Sequence, residues 1–357
     1  MNEHRWVSDE LTPSLRQRVG ISSTFNTVRL ASKGQLTVLE PQFEQLQGMT
    51  AVIASQQMRK LMALAAKVGK TNSPVLITGE SGTGKEIFAR TIHQHSARAF
   101  KPLVDVNCAA LPEHLVESEL FGYEKGAFSG AENMKQGLFE AAHGGTLFLD
   151  EIAELETHIQ AKLLRVLDGQ PHYRLGGTRK VIVDVRIIAA TNLDLHSAIK
   201  EGRFRSDLFH RLDAFHIRIP PLRERIDDIG PIAEFFLRGT GVRLSPEALA
   251  ILEEYHWPGN VRELKNTLNK ASVFSTGTEI LPHDLPLEVL SARAEATEDT
   301  CSLDGLEQKT IIKVLAQTNG HQQKAADLLG ISRRTLIRKL NLYRGPGNRP
   351  GRLGPVL

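Results

Sequence analysis

A glycine-rich stretch in the first quarter of the chain constrains the fold more than any other feature of the sequence. The residues Gly-Glu-Ser-Gly-Thr-Gly-Lys-Glu occupy positions 79–86 and follow a short aliphatic run at Val75–Ile77. A buried strand, a turn of bare backbone and a helix N-terminus form a phosphate-binding loop, in which main-chain N–H groups and the lysine contact the β- and γ-phosphates. The nucleotide-contacting residues that we predict from this loop are Gly79, Glu80, Ser81, Gly82, Thr83, Gly84, Lys85 and Glu86.

One position of this loop departs from the general pattern of phosphate-binding loops. The pattern continues after the lysine with Ser or Thr, whose hydroxyl binds magnesium, and this chain has Glu86 at that place. A flexible glycine loop without a ligand is the alternative interpretation. The strand before the loop and the helical character of the residues after it favour the nucleotide site.

The composition limits the classes of protein to which the chain can belong. A length of 357 residues suggests roughly two or three domains. Only two cysteines occur, Cys108 and Cys301, and their wide separation excludes a disulfide framework and fits a reducing cytoplasm. No apolar run approaches the roughly 18 residues of a membrane span, and the N-terminus lacks the features of a signal peptide. We therefore expect a cytoplasmic protein that does not contact a membrane.

Strand and helix patterns alternate through the region around the phosphate loop. Such alternation predicts an α/β fold, with a parallel sheet that helices cover on both faces. Beyond this region, from 226 to 275, the pattern is only helical and predicts a small helical subdomain. Besides the strand before the loop, the predicted strands are Leu103–Asn107, Gly144–Glu151, Val181–Thr191 and Phe215–Ile219.

The C-terminal residues combine positive charge with a helical pattern. Residues 321–357 carry eight Lys or Arg and one Asp, whereas the net charge of the whole chain is only +3. A helix at Gln322–Leu329 and a turn at Gly330 precede a second helix that Ser332 caps. This arrangement predicts a helix-turn-helix that binds double-stranded DNA, with a helical hairpin of basic surface as the alternative. The predicted DNA-contacting residues are Ser332, Arg333, Arg334, Thr335, Arg338 and Lys339.

Two acidic residues end a predicted buried strand about 65 residues after the phosphate loop. On this interpretation Asp150 holds Mg²⁺, directly or through water, and Glu151 orients and polarises the attacking water. An acidic pair that caps the next helix is the alternative. Thr191 and Asn192 end the following strand and can reach the γ-phosphate or the water, but they are equally typical of a turn.

Five motifs occur in order along the chain. They are Gly-Glu-Ser-Gly-Thr-Gly-Lys-Glu at 79–86, Gly-Ala-Phe-Ser-Gly-Ala at 126–131, Gly-Gly-Thr-Leu-Phe-Leu-Asp-Glu at 144–151, Phe-Arg-Ser-Asp-Leu-Phe-His-Arg-Leu at 204–212 and Trp-Pro-Gly-Asn-Val-Arg-Glu-Leu at 257–264. Together with the helix-turn-helix they resemble the NtrC-like bacterial enhancer-binding proteins, AAA+ ATPases that activate sigma-54 RNA polymerase. The resemblance implies an AAA+ P-loop parallel sheet with a helical lid subdomain, an all-α Fis-type helix-turn-helix domain, and ATP and Mg²⁺ as cofactors.

The resemblance also implies roles for residues outside the loop. Asn107 matches the residue that restrains the water-activating Glu151 until the partner is engaged, and Arg262 matches a lid arginine that senses nucleotide. Arg205 and Arg211 match arginines that reach into the nucleotide site of a neighbouring subunit. On a continuous helix, residues six apart would point about 120° from each other, so we expect one to be the finger and the other to brace the interface. Each could instead form a surface ion pair.

The glycine-punctuated segment around Phe128 is implied to contact sigma-54. An apolar ring among small residues is more typical of a partner contact than of a core, although Phe128 could pack onto Leu138 or Phe139. The family usually has Thr where this chain has Ser129, so the hydroxyl is kept and a methyl group is absent. The contact residues implied are Gly126, Ala127, Phe128, Ser129, Gly130 and Ala131.

These patterns divide the chain into six segments. They are a short N-terminal arm (1–48), the α/β ATPase subdomain (49–220), the helical lid subdomain (221–290), a linker (291–304), the helix-turn-helix domain (305–344) and a disordered tail (345–357). The arm is too short for a sensor domain of about 100 residues. We therefore expect control by a separate regulatory protein or by expression level, unless the start of the chain is mis-assigned.

The function that the resemblance implies is sigma-54-dependent transcriptional activation. Such a protein binds DNA upstream of promoters and forms homo-oligomers, from a dimer to a hexameric ring. It uses ATP hydrolysis to remodel the closed complex of sigma-54 RNA polymerase holoenzyme into the open complex. The alternative is a DNA-binding regulator that uses nucleotide only as an assembly switch.

Overall fold

The computed structural model describes residues 41–46, 48–286, 289–290, 311, 314, 318 and 321–343. The chain divides into two compact units, Met1–Pro286 and Leu287–Leu357. The predicted arm up to residue 40, the predicted linker and the predicted tail lie outside the described residues, as does most of the first predicted helix of the C-terminal domain. Among the residues described, no helix is both long and apolar enough to span a membrane.

Short strands and helices alternate through the first unit. In chain order the strands are β1 (Gln42–Leu46), β2 (Met49–Ile53), β3 (Val75–Thr78), β4 (Leu103–Asn107), β5 (Gly122–Tyr123), β6 (Lys135–Gln136), β7 (Thr146–Asp150), β8 (His172–Tyr173), β9 (Lys180–Val181), β10 (Arg186–Thr191), β11 (His216–Arg218), β12 (Arg243–Leu244) and β13 (Glu279–Ile280). The helices of this unit are α1 (Gln56–Gly69), α2 (Lys85–Gln94), α3 (Glu113–Phe121), α4 (Leu138–Ala141), α5 (Thr157–Leu167), α6 (Leu195–Lys200), α7 (Ser206–Leu212), α8 (Ile229–Leu237), α9 (Pro246–Glu254) and α10 (Asn260–Phe274).

The central sheet has five parallel strands in the order β11-β3-β10-β7-β4. All six residues of β10 and the first four of β7 are buried, as expected for inner strands that are covered on both faces. Alternate side chains contribute to two cores: Leu147 and Leu149 pack with α3 and α5, whereas Phe148 and Ile188 pack with α1 and α2. The predicted parallel α/β sheet is confirmed.

The register of this sheet brings the predicted site residues to one edge. Asn107 at the end of β4 lies opposite Asp150 at the end of β7. Thr191 at the end of β10 lies opposite Thr78, immediately before the phosphate loop. The carboxyl ends of four strands therefore surround the start of the loop, which is where ligands bind in open α/β sheets.

Four two-stranded pairs accompany the main sheet, and the sequence did not predict them. β1 with β2, β5 with β6, and β8 with β9 are antiparallel hairpins, and β12 with β13 is a parallel pair. Most of these strands have two residues, too few for a readable alternation of polar and apolar side chains. The boundary predicted at residue 48 falls inside the β1–β2 hairpin, so residues 42–46 belong with the ATPase unit rather than with a separate arm.

The predicted continuous strand at Val181–Thr191 is wrong over its first half. The chain leaves β9 at Val181 and enters β10 only at Arg186, and Ile182 between them is 70% exposed. The carbonyl of Asp184 accepts hydrogen bonds from the Gly144 N–H and from Arg98, so this segment bonds to neighbouring loops instead of to a strand. The apolar residues at 182–185 therefore belong to a loop.

The lid contains α8, α9 and α10, and a turn around Trp257 joins α9 to α10. The Trp257 side chain is fully buried, and its indole N–H donates to the Leu252 carbonyl over 2.7 Å. Trp257 and Asn260 both have positive φ, 49° and 51°, conformations that L residues rarely adopt. Buried contacts of Trp257 and Asn260 hold this turn against the strain.

The second unit contains the predicted helix-turn-helix in the part that the structure describes. Its helices α11 (Gln322–Leu328) and α12 (Arg333–Tyr343) enclose a turn in which Gly330 has a φ of 65°. Leu336 of α12 is fully buried and packs against Ile311, Ala325 and Ala326. The predicted Ser332 cap is confirmed, since its hydroxyl accepts a hydrogen bond from the Thr335 N–H.

Candidate nucleotide-binding site

The phosphate loop connects β3 to α2, as predicted. Gly82 and Gly84 have φ values of 77° and 100°, in the left-handed region that favours glycine. A Cβ on Gly82 would lie 2.4 Å from the Gly259 carbonyl oxygen, so the lid approaches the loop as closely as bare backbone allows. Lys85 is 7% exposed, and its ammonium donates back to the Gly79 carbonyl over 3.1 Å.

Glu151 lies directly beside the loop lysine. Its Oε1 is 3.2 Å from Lys85 Nζ, and its Oε2 accepts a hydrogen bond from the Asn192 N–H over 3.1 Å. The residue has a φ of 53°, a strained conformation for a side chain of this size. Backbone strain that directs a carboxylate at a phosphate-binding lysine is typical of a functional site.

Asp150 places a second carboxylate at the same edge. Burial raises the pKa of Asp150; Lys85 opposes this shift and the charge of Glu151 adds to it. Glu86 adds negative charge near Asp150. Among the described residues no group of three or more His, Cys, Asp or Glu side chains is arranged to hold a metal ion, so Asp150 is the carboxylate here that could contribute an oxygen ligand to Mg²⁺ beside the nucleotide. The Glu86 carboxylate itself accepts from Arg90 over 2.6 Å, and Arg90 also contacts Asp105.

Asn107 and Thr191 lie at this edge but bond to their own segments. The Asn107 Oδ1 accepts from the N–H groups of Ala109 and Ala110, so it caps the 3-10 turn that follows β4. Glu151 is held by Lys85 and by the backbone of Asn192 in this conformation, rather than by the Asn107 implied from the resemblance. The Thr191 hydroxyl accepts from the Leu193 N–H, as in the turn interpretation.

A cavity of about 750 Å³ opens from the phosphate loop. Its polar end is formed by Ser81–Phe88 with Asp150 and Glu151. Its other walls are strand β2 and apolar lid side chains, among them Phe235 and Phe236. A charged end and an apolar end match the triphosphate and the base of a nucleotide.

The lid contributes residues that sequence reasoning missed. Arg262 was predicted, and its guanidinium donates to the Ser81 hydroxyl over 2.8 Å. Arg223 pairs with Glu80 through two hydrogen bonds, and the Asn260 amide donates to Glu80 and to the Ser81 carbonyl. These partners lie more than 140 residues away from the loop, and nothing in one sequence marks such a pairing.

The predicted finger arginines line other parts of the surface. Arg205 precedes α7 and pairs with Asp207 at 2.7 Å, and Arg211 contacts Asp168 and the Leu167 carbonyl. Both side chains are about half exposed, and neither lines the nucleotide cavity of its own chain. The surface ion pairs anticipated as the alternative are present, and they leave both guanidinium groups accessible.

The Gly126–Ala131 segment forms the tip of the β5–β6 hairpin. A hydrogen bond from the Gly126 N–H to the Ala131 carbonyl closes the tip, over 2.8 Å. Phe128 is 43% exposed, and its ring packs edge-on against Tyr123, with centroids 5.0 Å apart. Its ring partner is therefore Tyr123, whereas Phe139 is buried and stacks on Phe121.

Arg174 braces the base of this hairpin. It donates to Glu140 through both Nε and Nη2, at 2.8 and 2.6 Å, and to Glu124 over 2.9 Å. The Arg174 hydrogen bonds hold the pKa of Glu140 below its ordinary value, and the Glu140 hydrogen bonds raise the pKa of Arg174. A residue of the neighbouring β8–β9 hairpin thus ties the two ends of the exposed loop together.

The second unit presents a basic helix surface. Arg333, Arg334 and Arg338 are exposed on α12, and Lys339 is partly exposed beside them. Leu336 of the same helix packs inward. Positive charge along the second helix of a helix-turn-helix is typical of contact with a DNA backbone.

The fold and the site define a P-loop ATPase that carries a helical lid and a separate helix-turn-helix unit. Three family models match in this order: the sigma-54 interaction domain at residues 51–218, the AAA+ ATPase lid domain at 223–301, and the Fis family of bacterial regulatory proteins at 302–343. The chain therefore belongs to the NtrC-like family of sigma-54-dependent transcriptional activators.

Individual relatives agree with this assignment. The chain is 46% identical over 295 residues to the regulatory protein AtoC of Escherichia coli, covering 78% of this chain and 64% of AtoC. It is 44% identical over 337 residues to the transcriptional regulator NtrC of the same organism, covering 84% of this chain and 72% of NtrC. The crystal structure of Brucella abortus NtrX in complex with ATP is similar, with 37% identity and a TM-score of 0.62, covering 82% of this chain and 68% of NtrX.

Proposed function

We propose that this protein hydrolyses ATP to remodel the closed complex of sigma-54 RNA polymerase, so that promoter DNA opens. The observation that carries the proposal is the pairing of Lys85 with Glu151 at the mouth of a nucleotide-sized cavity, in a chain that also exposes Phe128 on a braced hairpin. The Lys85–Glu151 pair would carry out ATP hydrolysis, and Phe128 would contact the partner protein.

In the proposed reaction, the triphosphate of ATP lies along the phosphate loop and takes Lys85 as its counter-charge. Glu151, released from Lys85, then accepts a hydrogen bond from the attacking water and holds it in line with the γ-phosphate. Asp150 would hold Mg²⁺, which neutralises charge on the phosphates. The Asn192 backbone, already bonded to Glu151, keeps that carboxylate directed at the site.

The arginines at the surface suit a site that two subunits complete. Arg205 and Arg211 are exposed and lie outside the cavity of their own chain. We assign them to the nucleotide of a neighbouring subunit in a ring, where one stabilises transition-state charge and the other braces the interface. The carboxylates that bind them here, Asp207 and Asp168, would release them when the ring forms.

The helix-turn-helix unit would bring the motor to DNA upstream of a promoter. The exposed arginines of α12 supply contacts to phosphates, and the residues at its start would enter the major groove. Such a tether raises the local concentration of the ATPase near the polymerase.

The proposed contact with sigma-54 can be tested by complex formation on native gels, with ATP replaced by a transition-state analogue. The parental chain should form a nucleotide-dependent complex, and Phe128→Ala should lose it while ATP hydrolysis continues. Met134→Ala is the matched control, because Met134 is a comparably exposed apolar side chain of the same hairpin connection. A Phe128→Ala protein that forms the complex normally would contradict this assignment of the loop.

A further inference from the structure

The lid holds the phosphate loop from the side opposite to its ligand. Three consecutive loop carbonyls each accept a hydrogen bond from a lid residue: Ser81 from the Asn260 amide at 3.0 Å, Gly82 from the Val261 N–H at 3.0 Å, and Thr83 from Arg225 at 2.7 Å. The C=O and N–H of a trans peptide unit point in opposite directions. Each of these bonds therefore fixes the direction of the N–H that follows it in the loop. The Thr83 N–H donates to the Glu80 carbonyl within the loop, whereas the Gly82 and Gly84 N–H groups would contribute to the phosphate cradle.

Arg225 is the charged member of this set, and it is buried. Its side chain is 3% exposed, and it lies between two 3-10 turns at the start of the lid, Leu222–Glu224 and Ile226–Asp228. The residue borders the nucleotide cavity, and its Nε finds no hydrogen-bond partner within the described residues. A cation is costly to bury, so its placement against a single loop carbonyl calls for an explanation beyond packing.

Asp228, the acidic neighbour of Arg225, connects Arg225 to the part of the cavity wall that strand β2 forms. The carboxylate is 1% exposed and lies 3.8 Å from the guanidinium. It accepts hydrogen bonds from the N–H groups of Ala54 and Ser55, at 2.7 and 2.6 Å, and from the Ser55 hydroxyl at 2.9 Å. Ala54 and Ser55 join strand β2, which lines the cavity, to helix α1.

We propose that Arg225 is a positioning residue for the phosphates of the nucleotide, and that Arg225 with Asp228 holds the phosphate loop and strand β2 at a fixed separation. The Arg225 guanidinium, which donates to the Thr83 carbonyl, orients the Gly84 N–H of the same peptide unit. It also polarises that unit, so the partial positive charge on the Gly84 N–H increases. A nucleotide then meets a loop whose donors already point at its phosphates. This inference rests on the proposed nucleotide site and adds a residue that acts on the phosphates through the Thr83 carbonyl.

A role in positioning phosphates can be distinguished from a role in stabilising the fold, because only the first makes the effect of the substitution depend on whether the ligand carries phosphates. Replacing Arg225 with Gln leaves a side chain too short to reach the Thr83 carbonyl. Removal of this charged hydrogen bond behind the loop should weaken ADP binding about tenfold or more, while adenosine, which lacks phosphates, should bind within about twofold of the parental affinity. A residue that only stabilised the fold would weaken both ligands alike.

The experiment is isothermal titration calorimetry of the full-length chain with ADP and with adenosine, without magnesium. Arg243→Gln is the matched control, because Arg243 is an exposed arginine of the same lid and should leave both affinities unchanged. Arg225→Lys keeps one charged donor and should lie between the parental chain and Arg225→Gln. If Arg225→Gln does not fold, the ratio of ADP to adenosine affinity in Arg225→Lys decides the question in the same way.

Two results would overturn the inference: an unchanged ratio of ADP to adenosine affinity in both Arg225 variants, or an equal reduction for the two ligands. A parental chain that failed to bind ADP would instead contradict the proposed nucleotide site itself, so the two failures are distinguishable. A selective reduction of ADP affinity, graded from Lys to Gln, is the expected result.

Discussion

Glu151 is the residue on which hydrolysis should depend most directly, because its carboxylate lies 3.2 Å from the phosphate-binding lysine. Glu151→Gln keeps the shape and the hydrogen bond from Asn192 but cannot accept a proton from water. We expect nucleotide affinity to be kept and the rate of phosphate release to fall by roughly 10²–10⁴. Glu154→Gln is the control, since that glutamate is exposed three residues further along the chain.

A parental rate of phosphate release in Glu151→Gln would show that another group activates the water. Lys85→Ala belongs to the same measurement, because removal of the loop charge should abolish binding and not only turnover. The two variants together distinguish loss of chemistry from loss of substrate.

Glu140 offers a test of stability against pH. Its hydrogen bonds to Arg174 lower its pKa, so the folded protein binds a proton at Glu140 less tightly than the unfolded chain does. The stabilisation is therefore present above the ordinary pKa of glutamate and disappears as the pH falls through the lowered value. Glu140→Gln should reduce the free energy of unfolding by about 1–2 kcal/mol at a pH of about 7.5, and by much less at strongly acidic pH.

Thermal melting at several pH values measures this difference, with Glu132→Gln as control, because Glu132 is an exposed glutamate in the nearby β5–β6 connection. A destabilisation of Glu140→Gln that stayed constant from neutral pH to the lowest usable pH would contradict the ionic explanation. The destabilisation would then have to be assigned to the loss of side-chain packing.

At the scale of elements, helix α12 should supply the electrostatic part of DNA affinity. Removing one side chain that binds a phosphate lowers the slope of log affinity against log salt by about one. Arg333→Ala and Arg338→Ala should each show this change when duplex DNA is titrated at several salt concentrations. Arg243→Ala, in the ATPase unit, should leave the slope unchanged, and equal slopes for all three variants would argue against α12 as the DNA-binding helix.

The sequence predicted some elements well because their signal is local. The strands β3, β7 and β10 are uninterrupted apolar runs that end at glycine, acid or Thr-Asn, and α12 has both a cap and a one-sided apolar pattern. The strand predicted at 181–191 was too long, because Val183 and Val185 pack against the core from a loop and the apolar run at 182–185 has the same appearance in that loop as in a strand. The two-residue strands β5 and β6 leave no pattern to read.

The site residues also divide into those with a local sequence signal and those without one. Lys85, Asp150 and Glu151 follow from motif and strand order, and the structure brings them together. Arg225, Arg223 and the Asn260 hydrogen bonds depend on how the lid folds back over the loop. Such interactions join residues far apart in the chain, and physical reasoning on one sequence does not reach them.

At the scale of the whole molecule, a shared nucleotide site predicts that defective subunits can complement each other. A subunit with Arg205→Ala or Arg211→Ala keeps its own loop, whereas a Lys85→Ala subunit keeps its arginines. Mixing the two kinds should restore part of the ATP hydrolysis, since a finger arginine can contribute roughly 10³–10⁵ in rate. Lys85→Ala mixed with Glu151→Gln is the control, because both changes disable the site of their own chain.

If ATP hydrolysis did not recover at any mixing ratio for either arginine, these residues would act within their own subunit. Recovery with one arginine and not the other would identify the finger and leave the second as a brace of the interface.

We propose that ATP hydrolysis by this chain opens promoters bound by sigma-54 RNA polymerase. The most direct measurement is the yield of open complex on a sigma-54 promoter, detected by reactivity of unpaired thymines, with ATP or with a non-hydrolysable analogue. We predict opening only with ATP and the parental chain, and none with Glu151→Gln or Phe128→Ala. Opening with the non-hydrolysable analogue would contradict this function and favour a regulator that uses nucleotide only as an assembly switch.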